Sequence, residues 1–293
     1  MKMKTQLCTG EKVRLDQIPT VYANEDRPED KEIAAKKKKL NRKLEHLQEK
    51  LFSSRSHGVL FVFQGMDCSG KDGTINHVFS EVNPQGVLTH SFKAPTDEET
   101  EHDYLWRAHR QVPGRGYIAA FNRSYYEDVL ITRVHGTIEN KKAQKRFGQI
   151  NDFEKMLKEN GIIVVKIFLH ISKRFQLEKL IARIENPHKN WKFDPSDLSE
   201  RKHWDDYQAC YEDVLTECAS SKLPWHIVPA DDRSMRDLAV LQIAVDTLED
   251  LNLEFPPPVP ELQDLLPELY AERDKESDKN ENRKNAAKKN KDK

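Results

Sequence analysis

Gly58-Val-Leu-Phe-Val-Phe-Gln-Gly-Met-Asp-Cys-Ser-Gly-Lys-Asp-Gly-Thr74 decides the fold. Residues 58–63 are rich in β-branched and aromatic side chains after the first glycine, and too few for a helix. They read as a strand buried on both faces. Glycines follow at 65 and 70, Lys71 stands behind the second, and a helical pattern runs from 71 to 80. Strand, glycine loop and helix form the context in which Gly65-xxxx-Gly70-Lys71 cradles phosphate. Glycine lets the backbone fold tightly enough for its N–H groups to converge on phosphate oxygens. The helix N-terminus adds its dipole, and Lys71 adds a full positive charge. The competing reading is a plain glycine turn with an unrelated lysine.

The motif usually continues with Ser or Thr, whose hydroxyl ligates magnesium; here Asp72 follows Lys71. A metal contact must then come from elsewhere, and Asp67 is the carboxylate inside the loop. A carboxylate beside a polyanion is costly unless a cation lies between them. Asp67 therefore reads as a magnesium anchor, or alternatively as a cap on the loop's own N–H groups.

Working outward, further short apolar runs cover residues 86–92, 116–121, 161–170 and 224–229, separated by helix-like stretches. This alternation predicts an α/β domain whose five-stranded parallel sheet is covered on both faces. Leu40, Leu44, Leu47 and Leu51 form a helical stripe within residues 30–51. The basic run Lys36 to Lys39 on that helix suits either a solvated face or a phosphate-attracting one. Residues 1–29 are polar and read as a flexible arm. After the packed domain at 30–257 comes a C-terminal extension, 258–293. It opens on an extended proline-rich segment and is expected to be disordered from about 272, where almost nothing apolar remains.

Phe121-Asn-Arg-Ser-Tyr-Tyr-Glu-Asp128 begins where the 116–121 strand ends. Ligands of open α/β sheets bind at the carboxyl ends of strands, so Asn122 and Arg123 should face the phosphate loop's crevice. Arginine clamps phosphate with two parallel N–H donors. Glu127 is either a metal or substrate ligand or an ordinary acid at a helix start; Asp128 reads as the latter. Residues 172–207 are polar, basic and helix-prone, and sit where a mobile lid would close. Within it Arg183 and Lys192 are the candidates for charge brought to a migrating phosphoryl group.

The net charge of −1 gives no general pull toward nucleic acid or an anionic membrane. Four scattered cysteines, without CxxC spacing, point to neither disulfides nor a structural metal, and a reducing cytoplasm fits them. No apolar run approaches the roughly 20 residues that span a bilayer, and the first residues lack the apolar core of a signal peptide. The histidines show no HExxH spacing, and GxSxG is absent.

The segment 63–74 resembles the phosphate loop of polyphosphate kinase family 2. So do Ser91-Phe-Lys-Ala-Pro-Thr96 and the run 121–128. Trp191-Lys-Phe-Asp-Pro-Ser-Asp-Leu-Ser-Glu-Arg-Lys-His-Trp-Asp-Asp-Tyr207 resembles that family's lid, and Pro224-Trp-His-Ile-Val-Pro-Ala-Asp231 its last strand. The resemblance covers residues 30–257 in one order. It implies a three-layer, thymidylate-kinase-like P-loop kinase fold with a helical lid. It implies Mg2+-dependent phosphoryl transfer between inorganic polyphosphate and AMP, ADP and ATP, in a homo-oligomer, a tetramer or dimer. Asp67, Lys71, Arg123 and Arg183 carry over as catalytic residues. Gly65, Met66, Ser69, Gly70, Asp72, Lys93, Asn122, Glu127 and Lys192 carry over as substrate-binding ones. Many members have Asp where this chain has Asn122, which leaves Asp67 as the main metal anchor. The Asn-Arg-Ser and Tyr-Glu-Asp pattern resembles the subgroup, class III, that accepts both nucleoside mono- and diphosphates. An ATP-dependent nucleoside monophosphate kinase and a non-catalytic phosphate or nucleotide sensor would use the same loop.

Overall fold

The computed structural model describes residues 5–289. One sheet holds β1 (Gln6–Cys8), β2 (Gly58–Gln64), β3 (Val87–Ser91), β4 (Ile118–Asn122), β5 (Ile162–His170) and β6 (Trp225–Pro229). Around it run α1 (Asp30–Ser54), α2 (Lys71–Phe79), the one-turn helices α3 (Asp97–Thr100), α4 (Trp106–His109) and α5 (Ile131–Val134), then α6 (Asn140–Glu159). After β5 come α7 (Lys173–Glu185), α8 (Ser196–Lys202) and α9 (Trp204–Glu217), and after β6 comes α10 (Arg233–Glu249).

The strand order is β1-β6-β5-β2-β4-β3. All seven residues of β2 are buried, which is why its sequence is continuously apolar. It pairs in parallel with β4 on one side and β5 on the other, placing Phe63 beside both Asn122 and Ile167. From β2 the chain builds β3 and β4 to one side and later β5 and β6 to the other. The direction of winding therefore reverses at β2, where doubly wound sheets open a crevice at the strands' carboxyl ends.

Alternation along the strands separates two helical layers. Lys166 and Phe168 face Glu154 of α6 and Tyr211 of α9. Phe61, in register with Val165, faces Phe79 of α2 on the other side. There α2 and α1 pack against α10. The α1 stripe meets this expectation: Leu44, Leu47 and Leu51 are buried. Of its basic run, Lys38 and Lys39 are exposed, while Lys37 reaches Asp237 at 3.9 Å.

Two expectations need correction. The sheet has a sixth strand, antiparallel β1, from the segment read as a flexible arm; Gln6, Leu7 and Cys8 pair with Ile227, His226 and Trp225. Cys8, Val13, Leu15 and Ile18 enter the main core, so apolar burial pins the arm although its apolar residues follow no regular period. The tail also differs. The chain divides into units at 1–254 and 255–293, and the second carries a helix, α11 (Leu266–Lys289), across residues expected to be disordered. Its Glu, Lys, Arg and Ala are good helix formers, and no glycine interrupts them. Residues 290–293 of that expectation lie outside the described residues.

Candidate active site

The phosphate loop leaves β2 at Gln64 and enters α2 at Lys71. Gly65 has φ +151°, and a Cβ there would meet the Leu169 carbonyl at 2.7 Å; only glycine fits between β2 and β5. Gly70 has φ +93°, and a side chain there would collide with the Arg236 guanidinium. Within the turn, Ser69 N–H donates to Met66 O (3.1 Å), and Cys68 adopts the left-handed region at φ 69°. Lys71 is buried, and its ammonium donates to Gly65 O (2.7 Å) and Met66 O (3.2 Å). Burial lowers its pKa, opposed by the charge of Asp67.

The tip of β4 arrives beside this loop because the two strands are neighbours. Arg123 N–H donates to Phe63 O at 3.0 Å, and Arg123 itself is left-handed at φ 61°, uncommon for a side-chain-bearing residue. The Arg123 guanidinium lies 2.6 Å from Asp67 Oδ1 and 3.9 Å from Glu127 Oε2. Gln64 completes the corner. With its NH2 donating to Glu127 Oε1 (3.1 Å), its oxygen accepts from Ser124 Oγ (3.0 Å) and Ser124 N–H (3.1 Å). The next two residues anchor the segment. Tyr125 and Tyr126 hydroxyls both donate to Glu154 Oε1 (2.8 and 2.6 Å), and Lys166 Nζ donates to Glu154 Oε2 at 2.7 Å. Both members of that ion pair are fully buried, so deleting either would leave a buried charge unpaired.

The electrostatics follow from this crowding. Burial alone would raise the Asp67 carboxyl, but the charges of Arg123, Lys71 and Arg183 outweigh it and hold it below the usual carboxylate range. Burial raises Glu127 despite Arg123 and Lys71, while Glu127 in turn raises the Arg123 guanidinium. The site is thus a mixed cluster in which Lys71, Arg123 and Arg183 are interleaved with the carboxylates of Asp67 and Glu127.

The lid is α7 and α8 with the start of α9. Arg183 lies on α7, 26% exposed, its Nη1 3.1 Å from Asp197 Oδ2. Gln176 ties the lid to the loop. Its Nε2 donates to Asp67 O (3.1 Å), and its Oε1 accepts from Arg201 Nη1 (2.8 Å). Tyr207 hydroxyl donates to Glu200 Oε2 at 2.6 Å.

A narrow cleft opens here. Of the residues singled out from sequence, Gly65, Met66, Asp67, Arg123 and Glu127 line it. Ser69, Gly70 and Lys71 form the adjoining turn and helix start. Asp72 and Asn122 touch one another, the Asn122 amide donating to the Asp72 carboxylate. Lys93 and Lys192 are not brought to the cleft. Both are exposed; the Lys93 carbonyl accepts from Arg107, and Lys192 Nζ lies over Trp191, 5.0 Å from the ring centre. Sequence reasoning missed Gln176, Glu200, Tyr207 and Tyr211, which also line the cleft. Tyr207 and Tyr211 stand four apart on α9, so one helical face carries both; Tyr207 ends the lid-like stretch 191–207, while no motif marks Tyr211.

Among the described residues no group of three or more His, Cys, Asp or Glu side chains is arranged to hold a metal ion by itself. Asp67 and Glu127 line one cleft, and Asp67 is a third exposed. One or two carboxylates suit magnesium, which completes its octahedron with substrate phosphates and water, better than calcium, which wants a fuller oxygen cage. Carboxylates of this number would suit Mg2+, and Asp67 would be the one to hold it.

The family model "Polyphosphate kinase 2 (PPK2)" matches residues 27–256. The AMP/ADP-polyphosphate phosphotransferase of Meiothermus ruber is 48% identical over 219 residues, 75% of this chain and 82% of that protein. The ADP-polyphosphate phosphotransferase of Rhodopseudomonas palustris is 43% identical over 275 residues, 89% of this chain and 95% of that protein. The crystal structure of polyphosphate kinase 2 from Arthrobacter aurescens TC1 superimposes with a TM-score of 0.85 at 38% identity, covering 89% of this chain and 94% of that one.

Proposed function

The chain belongs to the polyphosphate kinase 2 family and is a polyphosphate–nucleotide phosphotransferase, and we propose that it converts AMP to ADP and ADP to ATP with Mg2+ present. One observation carries the reading of the site: Asp67 lies in the phosphate-loop cleft among the charges of Lys71, Arg123 and Arg183. Neutral ligands need no such arrangement, but two polyanions brought end to end do. The M. ruber relative is named for both AMP and ADP, which supports acceptance of both.

Transfer joins an oxygen of the nucleotide's terminal phosphate to the end phosphorus of polyphosphate. The P–O–P bridge behind that phosphorus breaks, and the donor leaves one unit shorter. The attacking oxygen is already anionic, so no general base is required. The protein's task is alignment and cancellation of charge. Loop N–H groups and the α2 N-terminus bind phosphate oxygens. Lys71, held to the loop carbonyls, and Arg123, held by Phe63 of β2 and by Asp67, offset the charge of the migrating group. Arg183 and Gln176 bring the lid over it and exclude water. Bound Mg2+ would supply further charge neutralisation, held by Asp67.

The deciding experiment offers polyphosphate and AMP without ATP, and follows ADP and ATP. Formation of both supports the reading. An enzyme that phosphorylates AMP from ATP but never from polyphosphate would be an ordinary nucleotide kinase, and one that binds without turnover a sensor.

A further inference from the structure

Helix α10 turns a broad apolar face into the interior: Met235, Leu238, Ala239, Val240, Leu241, Ile243, Ala244, Val245 and Leu248 are all buried. Among the buried residues of this helix only Arg236 and Asp237 are charged, 3% and 4% exposed, whereas Arg233, Asp246 and Glu249 lie further out. Replacing a buried ion pair with apolar side chains is often neutral or stabilising, so folding by itself gives no reason for this one.

Its contacts supply a reason. Arg236 Nε and Nη2 both donate to Asp237 Oδ1 (2.9 and 2.8 Å), which fixes the plane of the guanidinium. The remaining nitrogen, Nη1, donates to Ser69 O at 3.2 Å. Asp237 reaches the helix after the loop: its Oδ1 accepts from Thr74 Oγ1 (3.2 Å), and its Oδ2 lies 2.8 Å from His77 Nδ1. The pair thus grips the loop just before Lys71 and the helix just after it. Gly70 has no side chain where this guanidinium lies, so the grip and the glycine fit one another.

We propose that Arg236 is a positioning residue for phosphoryl transfer, orienting the peptide between Ser69 and Gly70. A trans peptide points its N–H opposite to its C=O. Pinning the Ser69 carbonyl on α10 therefore aims the Gly70 N–H away from α10, into the loop that receives phosphate. This rests on the reading of the loop as a phosphate cradle. Arg236 touches no substrate; it acts through the peptide it holds. An apolar residue would fill the same volume and leave that peptide free to turn.

The test compares R236K and R236A with the unaltered enzyme, reading kcat and KM for polyphosphate and ADP, the unfolding midpoint, and calorimetric binding of tripolyphosphate. Lys keeps the charge but cannot grip both Asp237 and Ser69. R236K is expected to fold yet lose about tenfold in kcat/KM, with weaker tripolyphosphate binding, and R236A about 10²-fold, as for a small misplacement of reacting groups. Guanidinium added to R236A should restore activity saturably, and equal urea or NaCl should not. R236K with a lowered midpoint but an unchanged kcat/KM per folded molecule would overturn the proposal, and so would R236A that folds but ignores guanidinium. Should R236A fail to fold, R236K decides alone. If the unaltered enzyme binds tripolyphosphate without transferring it, the polyphosphate reading fails while the binding comparison still judges Arg236.

Discussion

The floor of the cleft and its lid use the same residue types in opposite ways. On the floor, Lys71 is bonded to two backbone carbonyls, and the Arg123 backbone is bonded to Phe63. Behind them stand the fully buried Glu154–Lys166 pair and two tyrosine hydroxyls. In the lid, Arg183 meets Asp197, Glu200 meets Tyr207, and Arg174 meets Glu178, side chain to side chain and partly in water. The lid also leaves Leu177, Ile181, Ile184 and Trp191 exposed, Trp191 to 78%. Few buried contacts and solvent-exposed pairs mark the low-stability end of a structure, where moving elements are found. The floor is preorganised to receive charge, and the lid can exchange partners.

That contrast sets the order of expected effects. Lys71→Ala removes a charge that nothing else on the floor replaces. It should lower kcat/KM by about 10³-fold while leaving the far-UV circular dichroism unchanged. Activity within tenfold of normal would remove the loop from the mechanism. Asp67→Asn keeps the shape and deletes the carboxylate between the cations. At saturating magnesium its kcat should fall about 10²-fold, with a magnesium requirement shifted to higher concentration. Near-normal turnover would end the role given to Asp67.

The difference between floor and lid also explains what could be read in the sequence. The floor is built from contiguous stretches, 58–74 and 116–128, whose glycines and apolar runs have one backbone solution. Asp67, Lys71 and Arg123 are legible there because the chain turn that makes them functional is local. Gln176 and Tyr211 reach the cleft only through the packing of α7 and α9, and no local pattern distinguishes them from other polar or aromatic helix residues. Arg236 did carry a signal, a charged pair among the residues of α10 that are otherwise apolar and buried, but its partners are the loop and α2, far away in sequence. Strand β1 was illegible for another reason. Three residues, Gln6 to Cys8, are too short to show alternation, and their strand exists because β6 offers an edge. Lys192 looked functional by charge and motif, yet folds over Trp191, since a long flexible cation is directed by its surroundings more than by its position.

In the lid the expected effect is smaller. Arg183→Ala should reduce kcat/KM about tenfold, mostly through KM for polyphosphate, because the floor's cations remain and the lid contributes charge on closing. A loss as large as that of Lys71→Ala would erase the distinction between the two regions.

The smallest effect probes what the floor costs. Asp128 ends the floor segment, with Oδ1 3.5 Å from the Arg146 guanidinium. Burial pushes its carboxyl up to about 6, against the pull of Arg146 and Arg107. A carboxyl raised on folding binds its proton more tightly in the folded chain than in the unfolded one. Ionising it therefore works against the fold. Stability is highest, for this group, below the ordinary carboxylate range near 4, declines as pH rises toward 6, and stays lower above it. Asp128→Asn carries no such titration. Its unfolding midpoint relative to the unaltered protein should rise with pH across that window and level off above it. The gain should be on the order of 2 kcal/mol, a shift of several degrees for a domain of this size. Glu178→Gln, at a side chain 56% exposed on the lid, should change the unfolding free energy by less than about 0.5 kcal/mol. A flat difference for Asp128→Asn would mean that the floor shelters no costly charge there, and that its rigidity comes without the electrostatic strain that burial imposes.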